Sequence, residues 1–224
     1  MQNKICYVTD VEGDYDHFMK IIKNSEGLYF EKEELKLRED FCFIHGGDLF
    51  DRGNGDIRLS RMLVELKRKY GDRVILLLGN RDINKMRFTS ELDMDIPKEK
   101  AFNAFWDPSA PNLVEYLERN KLEDSKLNRL KFILTHTLGC PRTFEYRREE
   151  LSILNNKQDI DDQQVLQNFI DSVEEDEGIY TQYLKVGQLA CILGNTLFVH
   201  GAADIRGLSK QKFFFNFFFL IFFI

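Results

Sequence analysis

The sequence has few cysteines, and no two of them are close enough to form a CxxC motif. The four lie far apart, at Cys6, Cys42, Cys140 and Cys191. This spacing argues against a zinc knuckle and a disulfide framework, and it is typical of reduced thiols in the cytosol. The N-terminus also lacks the apolar stretch of a secretory signal. We therefore expect a cytoplasmic protein.

An excess of positive charge is missing as well. The 224 residues include 31 Lys and Arg against 37 Asp and Glu, which gives a formal net charge of -6. Because no basic face is indicated, we expect no nucleic-acid partner. With 43% hydrophobic residues, the chain has the composition of a globular protein with one substantial core, or one core with an inserted cap.

No apolar run reaches the roughly 20 residues of a membrane-spanning helix. The longest, residues 213–224, is rich in phenylalanine and lacks the periodicity of an amphipathic helix or strand. Because most of its residues are encodable without G or C, we interpret it as a low-complexity end that is not native domain sequence. The alternative is a membrane or partner anchor, and apart from that tail no membrane association is expected.

Short apolar runs are present instead. Three of them predict strands, at residues 5–9, 41–44 and 74–78. Helical spacing predicts helices at residues 15–24 and 56–70, and the charged residues 31–40 are expected to form a connector. Strands that alternate with helices predict an α/β fold with a parallel sheet. In such a sheet the ligand crevice lies at the carboxyl ends of the strands.

Polar side chains follow each predicted strand at that end. They are Asp10 and Glu12 after the first strand, Asp48 and Asp51 after the second, Asn80 after the third, and His200 after a fourth strand at residues 196–199. Carboxylate and amide oxygens with one imidazole suit Mn²⁺, Fe, Zn²⁺ or Mg²⁺. The donors permit two ions about 3.5 to 4 Å apart if Asp48 bridges them, with Arg52 against a phosphate. The alternative is an acidic turn with a surface ion pair.

Four motifs occur in order along the chain. They are Asp10-x-Glu12-Gly13, Gly47-Asp48-x-x-Asp51-Arg52-Gly53, Gly79-Asn80-Arg81-Asp82 and Val199-His200-Gly201. This series resembles the motifs of the calcineurin-like metallophosphoesterases, close to the serine/threonine phosphoprotein phosphatase branch. The resemblance covers residues 5–82 and 195–207. It implies an α/β (α+β) fold, with an αββα sandwich core and a large helical insertion.

The resemblance also implies a dinuclear metal centre and a phosphorylated substrate. Asp10, Glu12 and Asp48 would hold one ion, and Asp48, Asn80 and His200 the other, with Mn²⁺ favoured by the carboxylate of Glu12. Members of the family hydrolyse phosphomonoesters or diesters by attack of a metal-bound hydroxide. The implied substrate is a phosphoprotein or another phosphomonoester. The alternatives are a nucleotide or dinucleotide polyphosphate, or a non-catalytic binding module of the same fold.

Two departures from the family pattern change the expected chemistry. Glu12 stands where most members have a histidine ligand, and Arg81 stands where they have the histidine that protonates the leaving oxygen. An arginine stays charged and cannot donate that proton. We therefore expect Arg81 to pair with Asp51 and to clamp phosphate, while water or His136 supplies the proton.

The motifs divide the chain into four predicted parts. These are residues 1–82 as the first half of the core, 83–190 as a helical cap, 191–212 as a return to the core, and 213–224 as the low-complexity tail. Helical patterns at residues 127–138, 144–154 and 180–193 indicate the cap, and the acidic residues 159–177 a solvated face or loop. The family has further metal-binding histidines downstream, and none follows His200, which predicts an incomplete C-terminal part.

Several other side chains have both a structural and a functional interpretation. They are His17, His45, Trp106, Arg142, Arg147 and Arg148. The two histidines are more typical of structural residues, and the tryptophan of an anchor for the cap. The three arginines are candidates for binding substrate charge, although arginines on helices usually face solvent.

Overall fold

The computed structural model describes residues 4–104 and 107–202. Its strands are β1 (Lys4–Val8), β2 (Leu28–Glu31), β3 (Glu34–Leu37), β4 (Phe41–His45), β5 (Val74–Leu76), β6 (Ala190–Leu193) and β7 (Thr196–Val199). Its α-helices are α1 (Tyr15–Lys23), α2 (Asp56–Tyr70), α3 (Asn80–Ile83), α4 (Phe88–Glu91), α5 (Leu113–Asn120), α6 (Lys126–Phe132), α7 (Thr143–Asn155), α8 (Asp162–Asp171) and α9 (Ile179–Val186). A π-helical turn, Ile133–Thr137, follows α6.

Strands β1, β4 and β5 form a parallel sheet with β4 in the centre. The register pairs Lys4 with Phe41 and Phe43 with Val74. Every residue of β4 and β5 is buried. A strand that is covered on both faces needs apolar side chains at successive positions, which explains why these segments are continuous apolar runs in the sequence.

The side chains of the sheet alternate between two apolar clusters, as the pleat of a strand requires. Phe43 and Leu76 belong to the large core, together with Phe18 of α1 and Leu63 of α2. The opposite face carries a smaller cluster that the β6–β7 hairpin covers. Its members are Ile44, Ile75 and Leu77 of the sheet, with Cys191, Leu193 and Phe198 of the hairpin.

The later helices pack on the large-core side of the sheet. Helices α7 and α9 contact α2. Phe50 meets Tyr180 and Tyr183 of α9 edge-on, with ring centroids 4.6 and 5.4 Å apart. Buried Phe144 and Phe169 belong to the same apolar cluster as the sheet. The helices therefore share the core of the sheet, while the division of the chain into four parts stays a prediction.

The fold class and several elements agree with the sequence. The mixed α/β class and the parallel core sheet are confirmed. Helix α2 occupies the predicted residues 56–70, and β7 occupies 196–199. The pattern of these segments is strong because one face of the helix and most of each strand are buried.

The predicted connector at residues 31–40 is wrong, because it contains strand β3. This strand pairs with β2 in an antiparallel hairpin. Leu35 and Leu37 are buried, while Glu34 and Lys36 alternate with them. The many charged residues of this segment hid the alternation of buried and exposed side chains that is typical of a strand.

One further local prediction is wrong. The helix expected over residues 180–193 ends at Val186, and residues 190–193 form β6.

The prediction of a solvated face or loop at residues 159–177 is confirmed, because the acidic side chains of this segment are exposed or half-buried. The segment also contains α8, which buries Val165, Leu166 and Phe169 on its other side. The acidic residues mask this apolar stripe at helical spacing.

Two sequence predictions concern residues outside the described part of the chain. These are the role of Trp106 and the interpretation of residues 213–224. Within residues 4–104 and 107–202, no helix has the length and apolar character needed to cross a membrane.

A buried carboxylate on α7 caps the N-terminus of α2. Glu150 accepts hydrogen bonds from the backbone N–H groups of Ile57, at 2.9 Å, and Arg58, at 3.0 Å. The N-cap position itself is Gly55, which has no side chain to satisfy these donors. Glu150 is fully buried, and the helix dipole also favours a negative charge there. Helix α7 thus fixes the start of α2.

We predict that replacing Glu150 by Ala lowers the free energy of unfolding by about 3 kcal/mol, because buried N–H groups lose their acceptor. Urea unfolding measures the change. The matched control is Glu149→Ala on the neighbouring exposed position, which should change the free energy by less than about 0.5 kcal/mol. Equal losses in the two variants would contradict the capping role.

Candidate metal centre

The loops that follow β1 and β4 run side by side beyond the sheet. The backbone N–H groups of Asp10 and Glu12 donate to the carbonyls of Gly47 and Asp48, both at 3.0 Å. The N–H of Gly13 donates to the carbonyl of Leu49 at 2.6 Å. These hydrogen bonds extend the pairing of the strands, so that the first two motifs meet at the carboxyl edge of the sheet.

Four acidic residues of these loops have a left-handed backbone conformation. Their φ angles are 51° for Asp10, 49° for Glu12, 53° for Asp48 and 105° for Asp51. Such a conformation costs about 1–2 kcal/mol for a residue with a side chain. Half of the eight described non-glycine residues with positive φ lie here. The strain is therefore concentrated in the loops that carry the predicted ligands.

Three predicted ligands come together at one point. Asp10, Asp48 and His200 each offer a ligand atom, and these atoms all lie within 4.8 Å of one another. The Nε2 atom of His200 is 3.4 Å from Oδ1 of Asp48, whose carboxylate raises the pKa of His200 to about 9. Two carboxylates and an imidazole are a donor set that fits Mn²⁺, Fe or Zn²⁺.

The backbone orients the histidine of this group. The Nδ1 atom of His200 is 2.9 Å from the carbonyl oxygen of Gly46. In the tautomer that this contact favours, Nδ1–H donates to the carbonyl and Nε2 keeps its lone pair. A metal-binding histidine is usually held by such a hydrogen bond from its other nitrogen. The residues present therefore fit a divalent cation at this point.

Two glycines allow the loops to approach this closely. Gly47 has a φ of 102°, and a Cβ atom there would lie 2.6 Å from Nδ1 of His200. A Cβ atom on Gly79 would lie 2.1 Å from Oδ1 of Asp48. Only glycine fits both positions, which explains the glycines that precede the ligands in two of the motifs.

Asp82 holds the ends of two strands together. Its buried carboxylate accepts hydrogen bonds from the backbone N–H groups of Asp48 at 3.0 Å, Leu49 at 2.8 Å and Gly79 at 2.8 Å. Burial raises the pKa of Asp82 to about 7. The residue lies in the third motif, but no sequence pattern indicates that its side chain points inward. It was therefore missed as a positioning residue.

Arg81 lies among the acidic side chains of all three loops. Its Nε atom is 2.9 Å from Oε1 of Glu12 and 3.6 Å from Oδ2 of Asp48. Its Nη1 atom is 3.4 Å from Oδ2 of Asp51 and 2.5 Å from the sulfur of Cys140. The pairing with Asp51 that the sequence predicted is thus present. The contacts with Glu12 and Cys140 were not foreseen.

The remaining predicted residues lie at the rim of this group. Glu12 also contacts Arg52, with Oε2 at 3.2 Å from Nη1, and the Arg52 side chain is 54% exposed. Asn80 is exposed at the first position of α3, between Gly79 and Arg81. Its neighbour Arg81 donates a backbone hydrogen bond to Asp48 at 2.9 Å. Arg52 thus contacts Glu12, and Asn80 adjoins the residue that binds Asp48; their roles as phosphate and metal ligands stay predictions.

Asp51 is buried beneath the group and makes several strong contacts. Its carboxylate pairs with the fully buried Lys85, and its carbonyl accepts a hydrogen bond from the Thr143 hydroxyl. Its N–H donates to Oδ1 of Asp56 at 3.1 Å. Burial raises the pKa of Asp56 to about 6. The buried position of Lys85 was not predicted from the sequence, because a lone lysine on a short helix is usually exposed.

The other candidate side chains have structural surroundings. Fully buried Arg147 pairs with Asp56 at 3.2 Å, so its proposed contact with substrate is wrong. The ring of His136 packs against Tyr116 and Phe132, with centroids 5.4 and 5.5 Å away. Among the described residues, it forms no ion pair with a carboxylate.

The two outer arginines of the helical segment also have partners. Arg148 pairs with Glu145 at 2.8 Å and with Asp162 at 2.5 Å. Arg142 lies over the ring of Tyr146, at 4.6 Å. Their role in substrate binding stays a prediction.

Residues 4–178 match the family model of the calcineurin-like phosphoesterases. The chain belongs to this family. The resemblance drawn from the four motifs is therefore confirmed. The calcineurin-like phosphoesterase match includes most of the helical segment, which the motifs alone did not cover, and ends before His200.

The curated relatives of this chain include symmetrical bis(5'-nucleosyl)-tetraphosphatases of three bacteria. The Cronobacter sakazakii protein is 27% identical over 54% of this chain and 39% of its own length. The Shigella dysenteriae protein is 26% identical over 66% of this chain and 50% of its own length. The Klebsiella pneumoniae protein is 28% identical over 54% of this chain and 39% of its own length. The chain thus spans at most half the length of these relatives. No solved structure matches significantly.

His45 provides a test of the buried surroundings of the centre. It is fully buried, its Nδ1 is 3.1 Å from the Tyr183 hydroxyl, and its Nε2 has no hydrogen-bond partner among the described residues. Burial lowers the pKa of His45 to about 3, whereas the unfolded chain takes up this proton near pH 6.5. The unfolded state therefore binds more protons between these two values, and stability falls as the pH falls through that window.

We predict that this single group makes the free energy of unfolding fall by about 1.4 kcal/mol per pH unit between pH 6 and 4. In His45→Gln, which does not titrate, the slope should decrease by that amount. Urea unfolding at a series of pH values measures it. The control His17→Gln, at an exposed position, should keep the wild-type slope. An unchanged slope in His45→Gln would show that His45 titrates normally.

Proposed function

We propose that the protein is a metal-dependent hydrolase that cleaves phosphoric anhydride bonds in nucleotide polyphosphates, dinucleoside polyphosphates included. Membership of the calcineurin-like phosphoesterase family supports the reaction class. The names of the curated relatives support the substrate class. The observation that carries the proposal is the position of Arg81, beside Asp48 and between two acidic partners.

In this proposal, Asp10, Asp48 and His200 hold a divalent cation, with Mn²⁺ as the first to test. A cation held there polarises a phosphate oxygen and makes water more acidic. Asp48 is best placed to act as the central ligand, because two loops fix its backbone through Asp82. Glu12 and Asn80, the other ligands expected from the sequence, adjoin this group.

Arg81 is the proposed phosphate-binding residue. Its side chain is 13% exposed, and Glu12 and Asp51 hold its planar guanidinium in one orientation. Its Nε and Nη1 atoms contact these carboxylates and Cys140, so Nη2 is the atom proposed to donate to a phosphate oxygen, and the fixed positive charge would stabilise charge that develops in the transition state. Arg52, which is more exposed, is proposed to contact an outer phosphate.

Arg81 cannot protonate a leaving oxygen. The surroundings of the chain's four histidines do not favour proton donation to that oxygen either. His200 belongs to the metal group, His45 is buried, and His17 is exposed on α1. His136 packs against aromatic rings. A phosphate leaving group departs without a proton more readily than a serine alkoxide, so the site favours anhydrides. A phosphoprotein substrate, the other candidate, is therefore the less favoured one.

The substrate class can be tested with a panel of compounds in the presence of Mn²⁺. We predict that diadenosine tetraphosphate, ATP and p-nitrophenyl phosphate are hydrolysed at least about 100-fold faster, in kcat/KM, than a phosphoserine peptide, because their leaving groups depart without a proton whereas the serine oxygen needs a general acid. Asp48→Asn should abolish all of these activities. Faster hydrolysis of the peptide would favour the phosphoprotein alternative. No hydrolysis of any compound by the metal-loaded protein would refute the proposal.

The role of Arg81 can be tested with leaving groups of different basicity. Replacing Arg81 by His introduces a side chain that can donate a proton. We predict that Arg81→His increases the hydrolysis of phenyl phosphate relative to p-nitrophenyl phosphate by about tenfold or more. Arg52→His, at the exposed partner of Glu12, should leave that ratio unchanged. An unchanged ratio in Arg81→His would mean that protonation of the leaving oxygen is already supplied elsewhere.

A further inference from the structure

We propose that the ion pair of Glu12 and Arg81 takes the place of one metal ion, so that the centre binds a single divalent cation through Asp10, Asp48 and His200. This differs from the two ions that the donors in the sequence permit. The inference rests on the proposed function only in placing the metal at Asp48. Its test measures bound metal and does not depend on turnover.

The carboxylate and imidazole ligand atoms converge beside Asp48. Among the described residues, Asp10, Asp48 and His200 form the single group of three or more acidic, histidine or cysteine side chains that could hold an ion. Glu12 does not belong to this group, although it lies two residues after Asp10 on the same loop. The described residues therefore provide carboxylate and imidazole ligands for one ion at Asp48, and the Glu12 carboxylate is not among them.

Both oxygens of the Glu12 carboxylate are already engaged by cations. Oε1 is 2.9 Å from Nε of Arg81, and Oε2 is 3.2 Å from Nη1 of Arg52. The backbone fixes this arrangement, because Glu12 donates to the Asp48 carbonyl at 3.0 Å and accepts from the Arg52 N–H at 2.6 Å. To coordinate a metal ion, Glu12 would have to give up an ion pair that the two backbone bonds favour.

The guanidinium of Arg81 is held in place from several sides. It contacts Glu12, Asp48 and Asp51 at 2.9 to 3.6 Å, and its own backbone N–H donates to Asp48. An arginine keeps its positive charge and has no lone pair for a metal. A second dication next to this fixed charge would be repelled. Arg81 thus supplies positive charge on the side of Asp48 that faces Glu12.

Metal content and magnetic state test the inference on the full chain. Metal-free protein is titrated with Mn²⁺ by calorimetry, and bound manganese is counted by mass spectrometry. We expect one ion per chain, with the electron paramagnetic resonance signal of an isolated ion. Two ions per chain, the exchange-coupled signal of neighbouring ions, or no bound ion would overturn the inference.

Variants of the ion pair separate its role from that of a ligand. In Glu12→Gln the count should stay at one ion, and Kd should rise less than in Asp10→Asn, which weakens a proposed ligand of that ion. In Arg81→Met the freed Glu12 should allow a second ion. The matched control Arg52→Met should keep one. A loss of affinity in Glu12→Gln as large as that in Asp10→Asn, or a single ion in Arg81→Met, would overturn the assignment.

The outcomes also distinguish this inference from the proposed function. A chain that binds one ion but hydrolyses no phosphate compound would refute the function and leave the ion count standing. A chain that binds two ions and hydrolyses nucleotide polyphosphates would support the function and refute the single ion. Circular dichroism and urea unfolding of each variant establish that the fold is intact before metal is counted.

Discussion

The geometry of the site depends on the hydrogen bonds that one buried carboxylate accepts from two strand ends. Asp82 receives the backbone N–H groups of Asp48 and Leu49 after β4, and of Gly79 after β5. A buried carboxylate needs such donors, and these donors belong to the backbone that carries the central ligand. Asp82 therefore sets the position of Asp48 but is not itself one of the proposed metal ligands. The left-handed conformation of Asp48 is tolerated because these bonds hold it.

The helical segment also fixes the loop that carries Asp51 and the start of α2. The Thr143 hydroxyl binds the carbonyl of Asp51, and Glu150 of the same helix caps α2. Lys85 neutralises the Asp51 carboxylate in the core, and Asp56 at the start of α2, which accepts the Asp51 N–H, pairs with Arg147 of α7. Buried charges of this kind are tolerated only when they are paired and hydrogen-bonded. The helices are thus part of the framework of the site.

The sequence predicts those parts of the protein that depend on local patterns. Predicted strands with polar residues at their carboxyl ends indicated Asp10, Asp48 and His200, and these side chains meet, although β7 belongs to the antiparallel hairpin and not to the parallel sheet. Asp82 and Lys85 could not be found in this way, because nothing in a sequence tells that a particular charge is buried and which partner satisfies it. The contact of Glu12 with Arg81 likewise depends on how two distant loops pack. Strand β3 was missed because its surface charges hide two buried leucines.

The most direct test of a cation at Asp48 beside a fixed Glu12–Arg81 pair is a crystal structure of the Mn²⁺-loaded protein with anomalous data. One anomalous peak is expected, about 2.2 Å from a carboxylate oxygen of Asp10, one of Asp48 and Nε2 of His200. Arg81 should remain hydrogen-bonded to Glu12. No peak among these ligands, or a peak bound by Glu12 after it has left Arg81, would contradict this arrangement.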